Sequence, residues 1–329
     1  AANALAAEAD LVIAVGTRLQ DFTTGSWALF ANPERRILAL NITAHDAMKH
    51  AAMPLVCDAK AGLEELSARL GGWSATPPDP ALKADWEAAV DAATALPADD
   101  GTGNALPTDA QVIGAVQRSL DGDAVVVCAA GGLPGELHKL WRASRPGGYH
   151  LEYGFSCMGY EIAGGLGVKM ALPDREVVVM LGDGSYMMLN AELATSVMLG
   201  RKIIVVVLDN HGYGCIDRLQ RATGGAGFNN LFADAAQVRP PEIDFAAHMA
   251  AMGAEAEKVG SLAGLADAMA RARASGRSYG IVIETDPAAT TEAGGHWWDV
   301  AVAEVSDRPQ VRAAREGYEA ALVRRRRFD

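Results

Sequence analysis

A chain of 329 residues, half of them hydrophobic, with 35 glycines and only 21% charged side chains, has the profile of a core-rich α/β protein of about two domains. Its 41 acidic residues outnumber 29 basic ones for a formal charge of −12, a surface that repels nucleic-acid phosphates and anionic lipid, so no nucleic acid and no membrane is expected as a partner. No apolar run approaches the ~18–20 residues of a membrane span, and Cys57, Cys128, Cys157 and Cys215 form no CxxC pair, which argues against a zinc ribbon or a disulfide framework and fits a reducing, cytoplasmic setting.

Asn3 to Ala9 reads as the tail of a helix feeding the strand Leu11 to Val15, so the chain is expected to be the later part of something longer. Arg36 to Asn41 and Pro54 to Cys57 are two further short apolar runs, each read as a buried parallel strand. With a helix over Lys60 to Leu70, residues 1–72 form a small α/β piece. Residues 73–107 are rich in Pro and Ala and read as a linker enclosing one helix around Ala81 to Ala95. From Thr108, which with Asp109 can cap a helix, strands and helices alternate to about residue 290. The strands fall at Asp123 to Cys128, Glu176 to Leu181, Lys202 to Leu208, Glu255 to Val259 and Tyr279 to Glu284. Such alternation predicts an α/β fold with a mainly parallel, doubly wound sheet, preceded by the partial α/β piece. Residues 291–329 form a tail with the cluster His296-Trp297-Trp298-Asp299, read as a clamp on the domain in preference to a lid. A final helix ends in the solvated basic run Arg324 to Arg327.

The chemistry concentrates at two strand ends. The strand Glu176 to Leu181 runs into Gly182-Asp183-Gly184-Ser185, where glycines permit close backbone approach and a helix start offers free N–H groups to phosphate oxygens. A carboxylate beside phosphate requires a cation between them. The next parallel strand ends in Asp209-Asn210-His211-Gly212, and a right-handed crossover returns that end to the same sheet edge. Asp183 and Asn210 therefore meet in space although 27 positions apart in sequence. With the carbonyl of Gly212 they offer three oxygens, which two phosphate oxygens and a water complete to the octahedron that Mg²⁺ demands, without the thiolate or imidazole of a zinc site.

Gly-Asp-Gly, then the 24 residues Ser185 to Leu208, then Asp-Asn resembles the cofactor signature of thiamine diphosphate enzymes, which usually ends in Asn-Asn. Asp209 departs from it at the position that is not the family's metal ligand. The resemblance implies thiamine diphosphate and Mg²⁺ as cofactors, with Asp183, Asn210 and Gly212 on the metal and Gly182, Gly184 and Ser185 beside the diphosphate. It further implies that Gly132, Leu133, Pro134, Gly135 and Glu136, in the turn after the strand Asp123 to Cys128, touch the diphosphate. In Glu152-Tyr-Gly-Phe-Ser-Cys-Met158, Ser156 matches the carbonyl that bonds the aminopyrimidine, and Met158 the apolar residue that holds the cofactor bent; its bland alternative is a core methionine. Longer runs (GGLPGELHKLW, EYGFSCMGYEIAGGLGVKMA, GGHWWDVAV) narrow the resemblance to family members that open a polyhydroxy cyclic 1,2-diketone by C–C hydrolysis in inositol breakdown. An acetohydroxyacid synthase-like enzyme and a non-catalytic cofactor-binding subunit remain the alternatives. The family's activating Glu lies in an N-terminal domain that no part of this sequence resembles, so no catalytic residue is assigned here and the chain alone is expected to be inactive. A homodimer or homotetramer is implied by resemblance alone.

Overall fold

The computed structural model describes residues 2–97, 105–292 and 299–324, so the tail residues His296, Trp297 and Trp298 and the end of the basic run lie outside the described residues. The chain divides into two compact units, residues 1–88 with 292–329 and residues 89–291. No helix among the described residues is long and apolar enough to cross a membrane.

The first unit holds a three-stranded parallel sheet in the order β1-β2-β3, formed by Leu11–Val15, Arg36–Asn41 and Met53–Val56. Only β2 behaves as the buried strand its composition predicts. The side chains of β3 are exposed throughout, β1 buries only Ala14 with Val12 half-buried, and helix α1 (Ala59–Leu70) after β3 buries none of its residues. Cys57, at the end of β3, is accordingly half-buried. In the tail, Asp299 accepts a 2.8 Å hydrogen bond from Tyr318 in the last helix and donates its backbone N–H to Ser26 Oγ, so this part of the cluster is tied down within its own unit.

The second unit is a six-stranded, all-parallel sheet in the order β5-β4-β6-β7-β9-β8. Its strands are β4 (Val125–Cys128), β5 (Tyr149–Leu151), β6 (Val177–Gly182), β7 (Ile204–Asp209), β8 (Glu255–Val259) and β9 (Tyr279–Glu284). Successive side chains of a strand face opposite ways, and here both faces are dry. Val126, Cys128, Val178, Met180, Ile204, Val206, Leu208, Ile281 and Ile283 join one core. Val125, Val127, Val177, Val179, Leu181, Val205, Val207 and Val282 join the other.

Helices close both cores. The division between the units falls within α2 (Pro80–Thr94), and Val90 from its second half enters the first core. The same core takes α3 (Asp109–Arg118), whose Thr108 and Gln111 form a reciprocal capping box, and α4 (Gly132–Leu140). The second core takes Ile162 of α5 (Tyr160–Ala171) and Tyr186 of α6 (Asp183–Met188). Leu193 of α7 (Glu192–Met198) joins them there. With helices on both faces the sheet is doubly wound, and burying Val and Ile on two sides at about 1.5–3 kcal/mol each supplies its main stabilisation. Because β4 is flanked by β5 on one side and β6 on the other, the chain reverses direction across the sheet between β4 and β6. Ligands of open α/β sheets bind outside the carboxyl ends of the strands at such a point.

Candidate functional site

A pocket of about 240 Å³ opens there, lined from four strand ends: Ala130–Leu133 after β4, Ser156 and Met158 after β5, Gly182, Gly184 and Ser185 at the end of β6, and Leu208, Asn210 and Gly212 at the end of β7, running into α8 (Gly214–Ala222) as far as Arg218; Asp183 lies behind this lining. The parallel register pairs Gly182 with Leu208, so Asp183 and Asn210 leave neighbouring strands at nearly the same height.

Asp183 is 2% exposed. Its Oδ2 accepts a 2.8 Å hydrogen bond from the Gly212 N–H, while Oδ1 is buried with no partner in the protein; the same holds for Asn210 Oδ1. Burial, with the negative charge of Asp209 adding to it, pushes the Asp183 carboxyl up to about 6 against the pull of the backbone N–H groups of Gly212, Gly184 and Asn210. Buried oxygens without partners are costly, and a divalent cation removes that cost. The glycines have local reasons. Gly212 adopts φ +142°, and a Cβ on it would stand 2.3 Å from the Asn230 carbonyl; a Cβ on Gly184 would meet the Tyr213 ring at 2.7 Å and the Gly212 carbonyl at 3.6 Å.

The loop after β5 is shaped by Glu152, which accepts 2.9 Å hydrogen bonds from the N–H groups of Phe155 and Cys157. Those backbone bonds hold its carboxyl below the usual glutamate range. Ser156 within the loop takes the left-handed φ of 54°. Met158 is half-buried and lines the pocket, which sets it apart from the buried core methionines such as Met180.

Sequence reasoning missed the group that joins these segments. Glu161, 1% exposed on α5, accepts from Ser185 Oγ at 2.7 Å, from the Gly159 N–H at 2.9 Å and from the Ala130 N–H at 3.4 Å, and Ser185 Oγ itself accepts from Gly159. One carboxylate thus ties the turn after β4, the loop before α5 and the start of α6. The proton of Ser185 is committed to Glu161, which leaves its backbone N–H as the donor for a ligand. A lone acid in the otherwise apolar, glycine-rich run Tyr160-Glu161-Ile-Ala-Gly-Gly was the available signal. Asp109 and Arg218 also line the pocket unannounced.

Gly132, Leu133, Ser156, Met158, Gly182, Gly184, Ser185, Asn210 and Gly212 line the pocket together. Pro134, Gly135 and Glu136 are not in its lining, because α4 begins at Gly132 and carries them away. The Glu136 carboxylate instead accepts hydrogen bonds from Thr290, Thr291 and Lys139. Burial opposes its ionisation, yet these bonds outweigh burial and lower its pKa. His211 turns to a separate pocket of about 660 Å³ with Asp209 and Glu284, their ligand atoms within 4.8 Å of one another, where Lys258 already pairs with Glu284 at 2.5 Å.

Comparison with known proteins agrees with this geometry. Residues 129–283 match the thiamine pyrophosphate enzyme C-terminal TPP binding domain, and residues 1–66 match the central domain of the same enzymes. The chain belongs to the thiamine pyrophosphate enzyme family. It is 39% identical over 346 aligned positions to the 3D-(3,5/4)-trihydroxycyclohexane-1,2-dione hydrolase of Bacillus thuringiensis (strain Al Hakam), covering 96% of this chain and 54% of the relative. The hydrolase of the same name from Halalkalibacterium halodurans is 37% identical over 358 positions, covering 100% of this chain and 55% of the relative. The chain spans about half the length of these curated relatives. Among solved structures, the thiamine diphosphate-dependent 4-hydroxybenzoylformate decarboxylase of Rhodococcus jostii RHA1 shares the fold with a TM-score of 0.65 at 18% identity, over 84% of this chain and 49% of that one.

Proposed function

We propose that this chain is the cofactor-binding part of a thiamine diphosphate- and Mg²⁺-dependent enzyme that hydrolyses a ring C–C bond of a trihydroxycyclohexane-1,2-dione, giving a deoxyglucuronate. The observation that carries the cofactor assignment is the pair of buried, unpartnered oxygens, Asp183 Oδ1 and Asn210 Oδ1, beside the Gly212 loop. An all-oxygen donor set of this kind suits Mg²⁺. The substrate assignment rests on the name shared by the relatives that match along the whole chain.

Bound thiamine diphosphate supplies a nucleophilic carbon and an electron sink for cleavage between two carbonyl carbons. The residues of this chain bind and orient it. Asp183 and Asn210, with the Gly212 carbonyl, would hold the cation. The Gly131–Gly132 turn and the first residues of α8 would offer backbone N–H groups to the diphosphate. Met158 would present an apolar surface and Ser156 a carbonyl to the rings, on a loop that Glu152 and Glu161 hold by hydrogen bonds.

Activation of the cofactor by a carboxylate is assigned to no residue of this chain. The glutamates around the pocket are committed elsewhere: Glu136 to Thr290 and Thr291, Glu152 to its own loop, and Glu161 to Ser185 and Gly159. Titration of the purified chain and of its Asp183→Ala variant with thiamine diphosphate in excess Mg²⁺ tests the anchor; equal binding by both refutes it. Supplying the complete enzyme with the cyclic dione and, separately, with pyruvate tests the chemistry. Acetolactate without ring opening would replace the substrate assignment.

A further inference from the structure

The geometry points to Arg218 as the residue that makes this pocket specific for a diphosphate over a monophosphate. The inference rests on the cofactor reading above and adds a contact that neither the metal ligands nor the glycine turns provide.

Among the described residues lining the pocket, Arg218 carries the only positive charge. Its guanidinium is anchored from behind, with Nη1 donating to the Pro287 carbonyl at 2.6 Å, and Nη2 lies over the first residue of α4. A Cβ on Gly132 would stand 2.2 Å from Nη2. Gly132 has no positive φ, and the atom its Cβ would meet is the tip of Arg218, so the glycine leaves room for the guanidinium and serves no conformational need. The guanidinium occupies the volume that a side chain at 132 would fill, beside the N-terminus of a nine-residue helix where anions are favoured. Two unpartnered, buried oxygens, on Asp183 and on the pocket-lining Asn210, already mark the metal side, and Asp109 Oδ1 is a third, on a pocket residue 5% exposed that feels the positive charge of Arg218.

Charge counting sets the role. A diphosphate ester carries about three negative charges near neutral pH, and a divalent cation already compensated by Asp183 offsets about one of them. The remainder calls for a fixed cation, and a guanidinium with a planar fork of donors is matched to phosphoryl oxygens. A monophosphate, with about 1.5–2 charges, leaves at most about one beyond what the metal neutralises, against about two for the diphosphate, so the loss of Arg218 costs the diphosphate more.

The test is isothermal titration of the purified chain, in excess Mg²⁺, with thiamine diphosphate and with thiamine monophosphate. Arg218→Gln is expected to lose roughly 10- to 100-fold in diphosphate affinity and far less in monophosphate affinity, the range for one charge-assisted hydrogen bond. Arg218→Lys is expected to recover part of the loss. Gly132→Ala, which pushes the guanidinium aside while leaving it in the chain, is expected to reproduce the loss with an unchanged far-UV circular dichroism spectrum. Equal losses for both ligands in Arg218→Gln, or an unaltered diphosphate affinity while Asp183→Ala abolishes binding, would overturn the role of Arg218 and leave the cofactor reading standing. A parent chain that binds neither ligand would overturn both.

Discussion

Replacing Asp109 by Asn should stabilise the ligand-free protein in a strongly pH-dependent way. Asp109 is the first residue of α3 and 5% exposed, with one carboxylate oxygen unpartnered. Burial pushes its carboxyl from the ordinary 3.8 up to about 6, against the pull of Thr285 and Arg218. A raised carboxylate pKa means that the folded chain keeps its proton to higher pH than the unfolded chain does. Stability therefore falls as pH rises between these two values, and the penalty is complete above the folded one. A shift of about two units is worth about 3 kcal/mol. By the same linkage, about 1 kcal/mol of the penalty has developed near pH ~4.5 and nearly all of it near pH ~7.5. Asn cannot ionise, so the stability difference between variant and parent should grow by about 2 kcal/mol across that interval. Any pH-independent effect of the amide adds only a constant offset, and the ionised carboxylate's interaction with the helix N-terminus is already contained in its folded pKa. Urea unfolding followed by far-UV circular dichroism at the two pH values, with EDTA present, measures the difference directly. A variant-minus-parent stability that stays constant with pH, or that falls as pH rises, would refute the reasoning.

Asp183→Ala should weaken Mg²⁺-dependent binding of thiamine diphosphate beyond the roughly 10- to 100-fold typical of a residue behind the ligands, measured by the titration described above. Gly212→Ala should cost about 2–4 kcal/mol in chemical denaturation, since the new Cβ meets the Asn230 carbonyl and φ is +142°. Gly167→Ala, on α5 with nothing within 4 Å of the added Cβ, provides the control and should lose far less. Glu161→Ala should destabilise by about 2–4 kcal/mol because it strips a buried charged acceptor from Ser185 and Gly159. Glu161→Gln, keeping the shape and one acceptor, should lose about half as much in the same assay.

The central strands β4, β6, β7 and β9 of the second unit are legible from sequence because each is rich in consecutive Val, Ile or Leu, the mark of burial on both faces. The pairing of Asp183 with Asn210 was equally accessible, since one crossover fixes which strand ends become neighbours. Elements with weak local patterns were not. β5 is three residues long, and α8 carries only Ile216 and Leu219 as large aliphatics behind the turn-like Gly212-Tyr213-Gly214. Side-chain destinations were hidden for a different reason. Glu136 finds its partners 154 and 155 positions away and Glu161 finds Ser185 at 24, separations on which no periodicity bears. In the first unit the apolar composition of β1 and β3 predicted burial, but composition states what a strand prefers to face and not what is packed on it.

The pocket is walled by segments that leave β4, β5, β6 and β7 separately, so no stretch of chain shorter than about half of the second unit contains it. A ligand held there acts as a clasp across the sheet: every opening that separates any two of those strands must first release it. The free energy of binding is then added to the cooperative opening of the whole 89–291 unit and not to one loop. Cofactor occupancy should accordingly be readable far from the pocket, as slowed amide exchange along β9 and slower proteolysis of helices that never touch the ligand.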